Sequence, residues 1–230
     1  MTDDFTNELR LKAVAKALDS LAEPFAFVGG AVVSLYAPRD AAPEQRPTDD
    51  VDVVVELASY GGYARLDERL RELGFQNDVA SGVICRYRVQ GISVDVMPTE
   101  PEILGFSNRW YPEGFRHAEA YALDSETTIR LFTPVYFVAS KLEAFKGRGK
   151  DDFWGSSDFE DLVYVFDNAP DLGQRLQEGS PAVQAYLREE FIRFLNNPDF
   201  EDGILGHVEP RHASARTRRI LELLRQFVAP

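Results

Sequence analysis

The sequence predicts an α/β (α+β) fold: a strand-and-helix half to about residue 130, then a helical C-terminal half. Two observations carry this. Before residue 130, short apolar runs dense in β-branched residues, such as PFAFVGG and VDVVVEL, alternate with amphipathic helical stretches. After Thr133 the apolar period is helical throughout. At 230 residues the chain suits one large domain or two small ones, with length enough for a core. The expected division is 1–130 and 131–230.

The elements follow in order. Residues 6–22 place Leu9, Leu11, Val14, Ala15, Leu18 and Leu21 at helical spacing. PFAFVGG is a short strand ending in two glycines. AVVSLYAP is a short helix stopped at Pro38, and RDAAPEQRPT is a polar loop. VDVVVEL is a strand. YARLDERLREL, residues 63–73, is an amphipathic helix with Gly74 as its C-cap. GVICRYRVQGISVDVMP reads as two strands around a Gln90-Gly91 turn. Residues 98–124 are irregular and aromatic-rich, and TTIRLFT is a further strand. Thr133-Pro134 is an N-cap followed by proline at the first helical position, opening VYFVASKLEAFKG. RGKDDFWGS is a loop. Ser157 with Glu160 fits a capping box at the start of DFEDLVYVFD. Two more amphipathic helices lie near 181–196 and 213–228. Internal repeats and low-complexity segments are absent.

Composition narrows the function classes. The 44% apolar and 27% charged fractions are ordinary for a soluble globular protein. No apolar run approaches the roughly 18 to 20 residues of a membrane helix. MTDDFTNELRLK lacks the basic-then-apolar order of a signal peptide. The one cysteine, Cys85, excludes a disulfide framework and a thiolate metal cluster, and IleCysArgTyr reads as strand. These facts point to the cytoplasm. A net charge of −13 argues against nonspecific, backbone-driven nucleic-acid binding. Basic residues do bunch, in KLEAFKGRGK and RHASARTRR, which leaves room for a local basic groove. An acidic protein handling an anionic substrate needs divalent cations or a focused basic pocket.

Four segments could carry chemistry. In FVGG, a strand running through Gly29-Gly30 into a helix leaves backbone N–H groups for a phosphate; an ordinary Gly-Gly turn reads the same way. It matches neither the dinucleotide fingerprint nor the P-loop. Asp50 and Asp52 share one strand face, roughly 6.5–7 Å apart, and can grip one or two hard cations. A solvated strand end, with Thr48 and Asp49 as capping residues, accounts for them equally. Asp95 stands in SerValAspValMet. Beside the first strand it would complete a three-carboxylate set; otherwise it is an edge-strand charge. Three such oxygen donors suit Mg²⁺ or Mn²⁺. Two such ions can clamp an in-line phosphoryl or nucleotidyl transfer. Lys141, among apolar neighbours, can snorkel to a surface or reach a triphosphate. Lys146, Arg148 and Lys150, then Asp158, Glu160 and Asp161, also fit a helix hairpin with ordinary ion pairs. His117, His207 and His212 show no metal-ligand spacing, and no Gly-x-Ser-x-Gly elbow is present.

Taken in order, Phe27-Val28-Gly29-Gly30, Arg46-x-Thr48-x-Asp50-Val51-Asp52 and Val94-Asp95-Val96 resemble the nucleotidyltransferase superfamily typified by DNA polymerase β. The segment from Ser140 to Asp151, followed by SSDFEDLVYVF, looks like the second half of the AbiE-type subgroup, which includes MenT-like toxins. The resemblance covers about residues 20–167. It implies a small mixed-sheet nucleotidyltransferase core with a helical domain completing the nucleotide cleft. By position, Asp50 and Asp52 would hold the metals, and Asp95 would share one and activate the acceptor hydroxyl. Gly29 and Gly30, with Thr48, would meet the nucleotide, and Lys141 would pair with its triphosphate. Asp158 or Asp161 would match a further acidic position. The spacer from Gly30 to Asp50 is longer than the superfamily norm, and its insert APRDAAPEQRP is a lid or merely a loop.

The expectation is a metal-dependent transfer of NMP from an NTP to a hydroxyl, releasing pyrophosphate. A toxin acting on tRNA, with an antitoxin partner, is the first form of it. The acceptor could instead be a small molecule of the aminoglycoside type, which an acidic protein attracts by charge. A catalytically silent nucleotide- or partner-binding module is the reading from another class.

Overall fold

The computed structural model describes residues 3–38, 46, 48–57, 59–149 and 151–229, with side chains from residue 6 onward. The chain divides into two compact units, Met1–Val32 with Arg46–Thr133 and Val33–Gln45 with Pro134–Pro230. The α/β-then-helical expectation holds. The polar insert at 39–45 and Lys150 lie outside the described residues.

In the first unit, helix α1 (Asp3–Ala17) precedes strand β1 (Phe25–Val28), and β2 (Asp50–Val55) follows. Helix α2 (Tyr60–Glu72) leads to β3 (Gln76–Asn77), β4 (Arg86–Val89) and β5 (Ile92–Pro98). Residues 98–124, expected as irregular, contain the short helices α3 (Pro101–Leu104) and α4 (Tyr111–Arg116) and strand β6 (Glu119–Ala122). Strand β7 (Thr128–Leu131) closes the unit. The described strands form one mixed sheet in the order β3-β4-β5-β2-β1-β7-β6. The β2–β5 and β1–β7 pairs are parallel and the rest antiparallel.

Alternation decides which side chains face where. Val51, Val94 and Tyr87 are register partners across β2, β5 and β4, and all three are buried. The Tyr87 hydroxyl donates to Asp67 of α2 at 2.9 Å, so α2 covers that face. Ser59 caps α2 by accepting from Gly62 N–H, and the C-cap is Leu73, one residue before the expected Gly74. The β4–β5 hairpin turns at Gln90 (φ 51°) and Gly91 (φ 80°). Two consecutive positive φ values are what a two-residue hairpin loop requires, and they lock the pairing Arg86↔Asp95. Cys85 sits in a turn just before β4 rather than in the strand. Trp110 is 3% exposed, with the Arg109 guanidinium 4.7 Å over its ring.

The second unit is helical: α5 (Pro134–Gly147), α6 (Ser157–Asn168), α7 (Leu172–Arg175), α8 (Pro181–Leu195), α9 (Phe200–His207) and α10 (Ala213–Val228). Helix α9 has no counterpart in the sequence reading. Its core is aromatic: Phe145, Phe153, Phe159, Phe194 and Phe200 contact one another at centroid distances of 4.9–6.1 Å. Each buried phenylalanine removes enough apolar surface to stabilise by about 2–3 kcal/mol. Tyr36, from the early segment of this unit, packs on Phe137 of α5 at 4.6 Å. The α6 N-cap is Ser156, accepting from Phe159 N–H, one residue before the expected Ser157. Asp167 of α6 accepts from Arg216 and Arg219 of α10. Trp154 is 56% exposed. Among the described residues no helix is long and apolar enough to cross a membrane.

Candidate active site

In the first unit, β1 and β2 bring the glycines and the carboxylates together. Val28 pairs with Asp52, and Gly29 follows with φ 76°. A Cβ on Gly29 would lie 1.8 Å from Asp52 Oδ2, so only glycine lets this backbone pass the carboxylate. The chain then enters a 3-10 helix, Gly30–Tyr36, where the sequence predicted a short helix. A Cβ on Gly30 would lie 2.7 Å from Arg46 Nη2 and 3.2 Å from Thr48 Oγ1. Thr48 is buried, its hydroxyl donates to Asp50 Oδ1 at 3.2 Å, and its carbonyl accepts from Arg10. Gly29, Gly30, Arg46, Thr48, Asp50 and Asp52 therefore form one cluster.

Strand β5 lies beside β2 with Asp52↔Asp95 as register partners, so Asp95 joins Asp50 and Asp52 on one face. The adjacent strand supplies a residue the sequence reading missed. Arg86 stands opposite Asp95 on β4. Its Nε donates to Asp95 Oδ1 at 2.7 Å, and its Nη2 donates to Asp95 Oδ2 at 2.8 Å and Asp50 Oδ2 at 2.7 Å. The hydrogen bond to Asp95, then the charges of Asp95 and Asp50, push the Arg86 pKa up despite partial burial. The signal was present: a hairpin turning at Gln90-Gly91 puts residue 86 opposite residue 95.

Cys85, next in the chain, is no nucleophile at neutral pH. Burial, then the Asp95 charge, push its thiol up to about 12.

The donor set fits a hard divalent cation in its chemistry. Three carboxylates share a face, and the glycine turn a Cβ would fill leaves Asp52 open to a close-lying phosphate. The arrangement observed is a different state of that set. Among the described residues no three His, Cys, Asp or Glu side chains stand in a metal-holding arrangement, and Arg86 bridges two of the carboxylates.

The remaining candidates form a second cluster, in the helical unit. Lys141 of α5 is 5% exposed, so it does not snorkel to a surface. Its Nζ contacts Asp158 Oδ1 at 3.0 Å and Asp161 Oδ2 at 2.6 Å. Both acids belong to the group, being one turn apart on α6 and so on one helix face. Burial alone would lower the Lys141 pKa; the charges of Asp161 and Asp158 outweigh it and raise it. Asp158 also accepts from Arg148 Nε and Nη2 at 2.7 and 2.8 Å. Burial would raise its pKa, but the Arg148 bonds and the Lys141 charge hold it at about 2.

A family model described as the nucleotidyl transferase AbiEii toxin of a type IV toxin–antitoxin system matches residues 12–226. The chain belongs to the AbiEii nucleotidyltransferase toxin family. This bears out the resemblance read from the glycine and aspartate motifs, and it makes the AbiEii-family chain a nucleotidyltransferase, a transferase of NMP groups. No curated protein matches it. Among solved structures, the AbiEii-family chain is similar to an antigenic nucleotidyltransferase-like protein from Paracoccidioides brasiliensis. Identity there is 18%, over 88% of this chain and 94% of that one, with a TM-score of 0.46. It is also similar to the antibiotic-resistance factor ANT(2'')-Ia in solution, at 14% identity over 83% of this chain and 95% of that one, with a TM-score of 0.49.

Proposed function

We propose that this protein transfers NMP from an NTP to a hydroxyl of tRNA, using Mg²⁺ or Mn²⁺, as the toxin of a pair whose antitoxin restrains it in the cytoplasm. The observation that carries the reading is the placement of Asp50, Asp52 and Asp95 on one sheet face beside the Gly29–Gly30 turn.

Asp50, Asp52 and Asp95 would hold the cation, which when bound neutralises phosphate charge and polarises the phosphoryl oxygens. The backbone N–H groups of Gly29 and Gly30 would receive phosphate oxygens, with Arg46 and Thr48 alongside. Asp95 takes the proton of the acceptor hydroxyl. The acceptor oxygen bonds to the α-phosphorus, the bond to the bridging oxygen of the β-phosphate breaks, and pyrophosphate departs with that electron pair. Positioning and charge stabilisation supply most of the rate. Lys141, with Asp158 and Asp161, is assigned a phosphate-facing role within the helical unit through Arg148, whose exposed guanidinium their buried network anchors.

The aminoglycoside-type acceptor has one observation in its favour, a cleft of about 660 Å³ lined by Glu56, Glu100 and Glu102. Glu56 lies past the far end of β2 from Asp50, roughly 20 Å along the strand, which is too distant for direct attack. The silent module is disfavoured by the presence of all three carboxylates. The test is thermal shift with each NTP and Mg²⁺ or Mn²⁺, followed by transfer of label from the stabilising NTP into total tRNA. Metal-dependent stabilisation that vanishes in the Asp50→Ala/Asp52→Ala variant is expected. No shift with any NTP would overturn the reading in favour of the silent module, and label entering small polycations but not tRNA would replace the acceptor.

A further inference from the structure

We propose that Arg86 sets the divalent-cation affinity of this site: it stands in for the cation between Asp50 and Asp95 and must withdraw before one can bind. The inference rests on the reading that these carboxylates hold a metal.

Three carboxylates on one face repel one another. Here the guanidinium supplies the compensating charge. It engages both oxygens of Asp95 and one of Asp50 at 2.7–2.8 Å, so oxygens of two of the three acids are already engaged by a cationic group. A cation drawing on Asp95 and Asp50 therefore competes with Arg86 for the same oxygens. A guanidinium grips a carboxylate through a planar fork, so its contact is made or lost nearly as a unit.

Arg86 also borders a cavity of about 590 Å³ together with Arg71, Asn77, Asp78, Val79 and Val83. The Asp78 N–H donates to the Arg86 carbonyl at 2.9 Å, and the Asp78 carboxylate on that segment already accepts from Arg88 at 2.8 Å, so the displaced guanidinium turns toward solvent rather than to a waiting anion. Val79 is exposed on the wall. The hairpin backbone stays in register while one side chain turns.

The experiment titrates the full-length protein with Mn²⁺ alone, reading free Mn²⁺ by electron paramagnetic resonance, for wild type, Arg86→Gln and Arg86→Lys. Arg86→Gln is expected to bind Mn²⁺ roughly tenfold tighter than wild type or better, since a competing charge in direct contact is gone. Mn²⁺ should correspondingly raise its Tm more than that of wild type. Arg86→Lys keeps the charge without the fork and should fall between; it carries the test if Arg86→Gln does not fold. Equal or weaker Mn²⁺ binding by the folded variants, with wild type binding, overturns the role of Arg86 and leaves the metal reading standing. No Mn²⁺ binding by any of the three, with or without NTP, removes both.

Discussion

Asp52 and Gly29 depend on each other. The carboxylate occupies the space a Cβ at residue 29 would need, and the backbone there adopts φ 76°, where L side chains are strained. Gly29→Ala is therefore expected to destabilise the protein by roughly 1–3 kcal/mol and to displace Asp52. A urea midpoint and a transfer assay on the same preparation check both effects; unchanged transfer would detach the glycine from the site. Asp52→Ala removes a partly exposed polar side chain and no apolar core contact. It should keep the wild-type circular dichroism and Tm within a few degrees while lowering transfer by roughly a hundredfold or more. Retained activity would remove Asp52 from the catalytic set. These residues were legible because strand alternation is local: Asp52 and Asp95 each sit between valines, Asp50 stands two residues before Asp52, and period two fixes the side that Asp50 and Asp52 share. Arg86 was legible in principle from the same hairpin, but a lone arginine in a strand carries no mark of function until its opposite number is identified.

At the scale of elements, the α5–α6 pair is held by a charge it cannot shed. Lys141, with Arg148 on Asp158, neutralises two acids that are 2% and 1% exposed as residues. Removing one partner of such a group strands uncompensated charge, so Lys141→Met should cost about 3–5 kcal/mol, measured by urea unfolding at neutral pH. A wild-type midpoint in that variant would refute the structural role. Asp158 gives a pH signature. Its folded pKa of about 2 lies below the unfolded value near 3.9, so its stabilising contribution is present above the unfolded value. That contribution is lost as pH falls through about 2. Urea midpoints of wild type should drop across this interval, while Asp158→Asn, weaker at neutral pH, should converge with wild type near pH 2. A constant gap between the two would exclude the linkage. The sequence offered Lys141 as a surface or triphosphate lysine because its acids lie on the next helix; Asp158 is 17 residues away, and only helix pairing brings them together. Capping reads shifted by one residue, Ser156 for Ser157, because two consecutive serines offer the same hydroxyl and backbone geometry chooses between them.

For the whole molecule, the α/β-then-helical order was readable from the change in period after Thr133. The crossing of chain between units was not, because it depends on contacts remote in sequence. Tyr36 lies early in the chain yet packs with the helical unit, on Phe137. Tyr36→Ala is expected to cost roughly 3 kcal/mol, read by thermal unfolding, and to weaken the helical unit first. Loss confined to the sheet unit would contradict that assignment. Helices α3, α4 and α9 escaped notice for a different reason: they are short, and glycine or proline interrupts each neighbourhood, so no long period builds up. The two tryptophans offer a way to watch the two halves separately. Trp110 is enclosed in the sheet unit, beneath Arg109, whereas Trp154 stands in water on the helical one. Their emissions should differ in colour, Trp110 blue and Trp154 red. Replacing either with phenylalanine would give a single-colour reporter for one half, so that ordered melting of the two halves becomes visible in one cuvette without any label.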